Sequence, residues 1–266
     1  MDIDAHFERG RTHAVCQDYA LWGHGSRGAW VLVSDGCSSS AQTDVGARVL
    51  AHACAAALRA GRLPGSGVVW RVAAAAARQL ELAPNSLDAT VVAALALEDR
   101  IVALIRGDGI VAARKRDGEV EVTLRRCRDE TPDYPSVVVD PQRRAAWLAR
   151  TQPHAWIVRS RVGALDDRED CDATTSARGH AWVGQWSREV YDRLLVSTDG
   201  LASLRRAPDR EVLDVAWVAA RVLDAPSTTG CFVRRRMQRL GRSDGPFGDA
   251  APDDDLAIAA LAWDAR

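Results

Sequence analysis

Apolar residues in this chain come in short runs closed by acids. Ala29–Ser34 ends at Asp35, Leu194–Thr198 ends at Asp199, and Leu256–Leu261 opens after Asp253, Asp254 and Asp255. Short aliphatic runs bounded by turn residues read as buried strands. Ala89–Leu97, Arg100–Arg106, Ile110–Arg116 and Glu119–Leu124 follow one another across Glu98-Asp99, Gly107-Asp108-Gly109 and Asp117-Gly118, the pattern of an antiparallel meander. Thr12–Trp22 alternates weakly and reads as a strand, joined to Ala29–Ser34 by a Gly-rich turn; Tyr191–Thr198 contains another, and Leu256–Trp263 closes the chain.

Helical spacing marks the rest. Val45, Val49, Ala53 and Ala56 form a stripe within Ala41–Arg59, and Asp44 suits the positive end of that helix. Val68–Leu82 is a second helix stopped before Pro84; Glu211–Leu223 and Phe232–Leu240 are two more. Glu130–Gly184 is irregular and rich in Pro, Asp and Arg, which predicts a flap or inserted subdomain beside the main body. The order of elements predicts an α+β fold, with helices laid on antiparallel sheets in a single domain over residues 1–266.

Charge and cysteine usage narrow the function classes. The net charge is −1, so no global basic field recruits nucleic acid or an anionic membrane. No apolar stretch reaches the roughly 20 residues that span a bilayer. The N-terminal Met-Asp-Ile-Asp-Ala-His lacks a signal-like apolar core, and the six cysteines have no metal-like spacing. Together these read as a reduced, cytoplasmic protein. The Arg cluster at 234, 235, 236, 239 and 242 reads as a solvated face or as a patch for acidic substrates.

Acids at the ends of several strands are candidate chemistry. Carboxylates that meet repel one another and lose solvation, and a divalent cation held by oxygen ligands neutralises both costs. Asp117-Gly118 and Asp244-Gly245, by contrast, are ordinary turns.

Six motifs occur in order: Cys16-Gln-Asp18, Val33-Ser-Asp-Gly36, Ser86-Leu-Asp-Ala-Thr90, Gly107-Asp-Gly109, Ser197-Thr-Asp-Gly-Leu201 and Asp254-Asp255. Together they resemble the metal-dependent protein phosphatases (PPM, type 2C), especially their short bacterial branch, over about residues 11 to 262. The resemblance implies two antiparallel sheets packed face to face, with helices on both outer faces. It implies two Mn²⁺ or Mg²⁺ ions at one end, and a phosphoserine/phosphothreonine protein substrate supplied by a Ser/Thr kinase. Asp35 falls on the acid bridging both metals, the Gly36 carbonyl and Asp199 on further ligands, and Asp254 on the first acid of the terminal pair, with Asp253 the alternative one residue earlier. Asp18 falls on the acid that holds water, and Asp108 on the acid that recruits a third metal.

The chain departs from the family's pattern in three places. His13 stands where the phosphate-binding Arg is usual, with Arg11 two residues before it. Cys37 stands where animal enzymes carry a His, and Ser203 where a second acid would support the third metal, so the third site should be weak. The expected activity is phosphomonoester hydrolysis by a monomer, with His13 or Arg11 holding phosphate. The alternatives are a pseudophosphatase serving as a phosphate-sensing regulatory module, and a metal hydrolase of another type.

Overall fold

The chain alternates across its strands, and that alternation builds three apolar layers. A computed structural model describes residues 1–264 apart from 66, 128–133, 151–153, 164–167, 178–180 and 208, with the backbone alone at 150, 154–160 and 168–177. The strands and helices begin with β1 (Asp2–Glu8), β2 (Tyr19–His24), β3 (Ala29–Ser34), α1 (Thr43–Arg59), α2 (Gly67–Gln79), β4 (Val91–Ala96), β5 (Arg100–Arg106), β6 (Gly109–Lys115) and β7 (Val120–Cys127). They continue with α3 (Pro135–Val139), α4 (Pro141–Arg150), β8 (His154–Val162), β9 (Arg168–Ala177), β10 (Trp182–Ser187), β11 (Tyr191–Ser197), β12 (Leu204–Arg206) and β13 (Glu211–Val212). The last are α5 (Val215–Leu223), α6 (Phe232–Leu240), β14 (Ala251–Pro252) and β15 (Leu256–Ala262).

A seven-stranded antiparallel sheet runs β1-β15-β11-β6-β7-β8-β9, and a five-stranded one runs β10-β5-β4-β3-β2. In β15, Ala257, Ala259 and Leu261 join the apolar layer shared by both sheets, while Leu256, Ile258 and Ala260 point to the layer under α5 and α6. In β3, Val31 and Val33 face the other sheet, while Trp30 and Leu32 meet α1 and α2. Side chains of period two, covered on both faces, explain why these strands are continuous apolar runs. The α+β sandwich with helices on both outer faces is therefore as expected.

Four features go beyond or differ from the sequence expectation. Residues 9–18 form a loop rather than a strand, held by Arg11 N and Thr12 N donating to the carbonyls of Pro252 and Asp253. β1, DIDAHFE, is polar at alternate positions and gives no apolar run; among the described strands it pairs with β15 alone, at the sheet edge. Within the range expected as a flap, 130–184, β8 and β9 extend the seven-stranded sheet and β10 edges the other, while α3 and α4 lie outside the sheets. Arg168–Ala177 reads REDCDATTSA, and such polar sequence suits an edge strand without giving an apolar signal. The predicted helix at 211 starts at 215 instead, where the Asp214 side chain accepts from Trp217 N at 2.8 Å as an N-cap.

Candidate metal centre

Antiparallel pairing fixes which acids share one end of the sandwich. Tyr19 pairs with Ser34, so the start of β2 and the end of β3 coincide and bring Asp18 and Asp35 together. Ser197 pairs with both Ile110 and Ile258, so the end of β11 lies with the starts of β6 and β15. That places Asp199, Asp108 and Asp254 at the same end, with Asp108 in the turn where the chain crosses from one sheet to the other. Gly107 takes φ +79 in that turn, a conformation that favours glycine. Gly200 is needed for a different reason: a Cβ there would lie 1.8 Å from the Asp255 carbonyl oxygen, so its absence lets the second Asp-Gly close on the terminal acids.

A hydrogen-bond frame holds each acid. Thr198 Oγ1 donates to Asp18 Oδ2 at 2.6 Å and accepts from Ala257 N at 2.9 Å, tying the two sheets together. Thr90 N donates to the Asp35 carbonyl at 2.8 Å, and Asp35 N donates to Thr90 Oγ1 at 3.3 Å. Asp254 N donates to Ser203 Oγ at 3.1 Å, and that hydroxyl donates to the Gly200 carbonyl at 2.8 Å. Ser203 thus braces the Asp199 turn against Asp254. Asp255 accepts from Gly10 N at 2.7 Å and Gln17 N at 2.6 Å, which makes it a structural acid. Desolvation raises Asp253, but its ion pairs with Arg205 and Arg210 together outweigh that and hold it below the usual carboxylate range.

The electrostatics are those of acids without enough counter-charge. Burial pushes Asp18 well up, Thr198 opposes, and Asp199, Asp255 and Asp254 add to the rise. Burial likewise raises Asp35, followed by Asp18, Asp199 and Asp254. Asp199 is pushed up to about 6 by burial, Asp254 and Asp108, against Arg126. Burial raises Asp108 too, opposed by Cys127, whose backbone N donates to its Oδ1 at 2.6 Å, and by Arg125 and Arg126. Asp35, Asp108, Asp199 and Asp254 keep partial solvent access, which leaves room for water or an ion beside them. Among the described residues, no three Asp, Glu, His or Cys side chains form a complete ligand cage by themselves. Mg²⁺-type sites use one or two carboxylates per ion and fill the rest with carbonyls, waters and substrate oxygens, so this all-oxygen, mutually repelling set fits hard cations.

The phosphate candidates divide. His13 points its ring at the acids: Nδ1 lies 2.9 Å from Asp255 Oδ2, close but not aligned as a hydrogen bond, and Nε2 lies 3.4 Å from Asp254 Oδ1. Arg11 is exposed on the same loop. Three further residues act at this end of the sandwich, and the sequence assigns none of them a role there. Arg126 is exposed at the end of β7 and within electrostatic range of Asp108 and Asp199. Tyr134, just before α3, shares a hydrogen bond with Cys37 and senses Asp35 and Asp108; burial first, then Cys37, raises its phenol far above its ordinary value. Asp88 is 4 % exposed, accepts from Ser40 Oγ at 2.7 Å and Arg143 at 2.8 Å, and bonds Ser136, so it fastens α3 and α4 to the loop after Gly36. Asp88 lies inside the Ser86–Thr90 motif, so its motif was legible while its role was not. Cys16, Cys37, Cys54, Cys127 and Cys231 are free thiols, and burial followed by Asp255 raises Cys16 to about 12, which keeps it protonated and unreactive at neutral pH.

The family model for protein phosphatase 2C matches residues 8–239, so the chain belongs to that family. Solved structures share its fold. A bacterial serine phosphatase aligns with a TM-score of 0.60 at 14% identity, covering 100% of this chain and 99% of that one. Serine/threonine phosphatase Stp1 from Staphylococcus aureus gives 0.55 at 14% identity, covering 100% and 96%. The Mycobacterium tuberculosis serine/threonine phosphatase PstP/Ppp gives 0.53 at 18% identity, covering 99% and 98%. No curated protein matches the chain by sequence.

Proposed function

We propose that the protein hydrolyses phosphate monoesters, with phosphoserine or phosphothreonine of another protein as substrate and Mn²⁺ or Mg²⁺ as cofactor. The observation that carries this reading is the convergence of Asp18, Asp35, Asp108, Asp199 and Asp254 at one end of the sandwich, with Asp18, Asp35 and Asp199 raised by burial and mutual repulsion and Asp108 by burial. Asp35, the Gly36 carbonyl, Asp199 and Asp254 would hold two ions, and Asp108 a weaker third. Asp254 is preferred to Asp253, which two arginines already neutralise. Paired divalent cations make water acidic enough to deprotonate near neutral pH and offset the charge on phosphoryl oxygens.

The chain's own residues do the rest. Asp18, fixed by Thr198, orients the attacking water. His13 is engaged by Asp254 and Asp255, so it positions a ligand rather than binding phosphate. Phosphate oxygens are left to Arg126 and Arg11, whose planar forked donors suit them. Turnover of a phosphoserine peptide with release of inorganic phosphate, lost in EDTA and restored by Mn²⁺, tests the reading; unchanged turnover in excess chelator would overturn it.

A second reading keeps the fold as a phosphate-sensing regulatory module. The engagement of His13 with the acids favours it, because the family's usual phosphate position then carries no free cation. Phosphopeptide binding with Mn²⁺ but no turnover would select that module. The soluble-monomer and cytoplasmic expectations stand as part of the proposal; among the described residues, no helix is long and apolar enough to cross a membrane.

A further inference from the structure

The far end of the same sandwich carries the opposite charge. Asp192, at the start of β11, accepts from Arg114 Nε at 3.1 Å and NH2 at 2.8 Å. The same Arg114 reaches Asp224, just past α5, at 3.5 Å. Asp199 follows the opposite end of β11, so the two regions are separated by seven strand residues, roughly 20 Å at about 3.3 Å each. Here α5, α6 and the following loop enclose a groove of about 940 Å³. Five guanidiniums line it, those of Arg221, Arg235, Arg236, Arg239 and Arg242, against two carboxylates, Asp224 and Asp244.

The arginines are ordered and only partly paired: Arg242 Nε lies 3.2 Å from Asp244 Oδ1, and five guanidiniums still outnumber the two carboxylates of the groove. Arg236 Nε donates to the Arg221 carbonyl at 2.8 Å and its NH2 lies 3.9 Å from Asp224; Arg235 NH2 donates to the Thr229 carbonyl at 3.0 Å. Backbone carbonyls fix a guanidinium's direction and leave its charge. Burial lowers the Arg236 pKa, Asp224 offsets only part of that, and Arg239 and Arg221 lower it further, as expected where like charges crowd. In a chain of net charge −1, this is a local cationic excess.

We infer that this groove docks an acidic peptide segment of a partner protein, at a site separate from the acid-lined end. A peptide fits better than a nucleic acid, because Asp224 and Asp244 interrupt the basic surface. An evenly charged phosphate backbone needs a continuous stripe, whereas spaced Glu or Asp side chains can straddle the two acids. Arg239 and Arg242 are exposed and belong to no part of the proposed centre.

The test is fluorescence anisotropy of a labelled Glu/Asp-rich peptide titrated with the full chain at low and physiological salt. Saturable, salt-sensitive binding is expected. It should weaken at least tenfold in Arg239→Glu/Arg242→Glu, while hydrolysis of a small aryl phosphate stays unchanged. Arg235→Glu provides an independent variant at the same groove, with the same expectation. Absence of saturable peptide binding, or equal binding by the folded variants, overturns the inference. Tighter binding of single-stranded DNA of equal charge overturns the peptide assignment. The binding readout needs no turnover, so it stands or falls separately from the proposed hydrolysis.

Discussion

Thr198 Oγ1 donates a 2.6 Å hydrogen bond to Asp18 Oδ2 across the two sheets, joining residues 180 positions apart. That bond pulls the Asp18 pKa down against burial and three neighbouring acids. Thr198→Val should therefore raise it further and move the acidic limb of the pH–rate profile to higher pH. A lost bond to a charged group is worth about 1.5–3 kcal/mol, so kcat on an aryl phosphate should fall by about tenfold to about a hundredfold at neutral pH. Thr198→Ser should retain most of it. Equal profiles for the Val variant and the parent would remove Asp18 from the proposed role.

The raised acids predict an inverted stability profile without metal. A carboxyl whose folded pKa exceeds its unfolded value binds more protons when folded, so stability falls as pH rises. Asp199 moves from the ordinary value near 3.8 to about 6, and Asp18 and Asp35 move up with it. In EDTA, their contribution should fall between pH 4 and pH 7, and Asp199→Asn should raise Tm by a few degrees at pH 7. Mn²⁺ should stabilise the parent at pH 7 and do little for Asp199→Asn. A chelated protein whose Tm at pH 7 is unaffected by Asp199→Asn would contradict this electrostatic picture.

Roles for the three basic residues separate kinetically. Arg126→Ala should raise KM for an aryl phosphate about tenfold at saturating Mn²⁺, with Arg126→Lys intermediate, and Arg11→Ala should act in the same direction. His13→Ala should instead raise the Mn²⁺ concentration needed for half-maximal rate, leaving KM within about twofold once metal saturates. The reverse pattern would return the phosphate to His13.

Asp88 makes the fourth prediction. Removing its carboxylate leaves Ser136 and Arg143 without their shared buried acceptor. Asp88→Ala should cost about 1–3 kcal/mol of stability. It should also speed amide exchange across Pro135–Val139 and reduce activity on phosphopeptides more than on a small aryl phosphate. Unchanged exchange in α3 would mean that Asp88 does not hold it.

The sheets and the acids were legible because burial on both faces writes itself as apolar runs, and the acids sit where those runs stop. Asp35 follows a run of six residues, Ala29–Ser34, and Asp199 a run of five, Leu194–Thr198. Edge elements were not: β1 and β9 lie at the two ends of the seven-stranded sheet, where polar residues are tolerated and the pattern fades. The helix pair after Tyr134 owes its place to Asp88, a contact across 48 positions that no local pattern encodes. Likewise, the phosphate role of His13 rests on the family resemblance, within a segment expected as a strand. The segment is a loop, and loops turn side chains without the alternation that made the strands predictable.

The central claim is that the clustered aspartates form a two-ion centre. Calorimetric titration of Mn²⁺ into chelator-stripped protein measures it directly. The account predicts about two ions bound per chain at neutral pH, binding weakened sharply by acidification toward pH 5, and loss of that binding in Asp35→Asn, whose circular dichroism stays native. No measurable Mn²⁺ binding by the parent, or undiminished binding by folded Asp35→Asn, would contradict it.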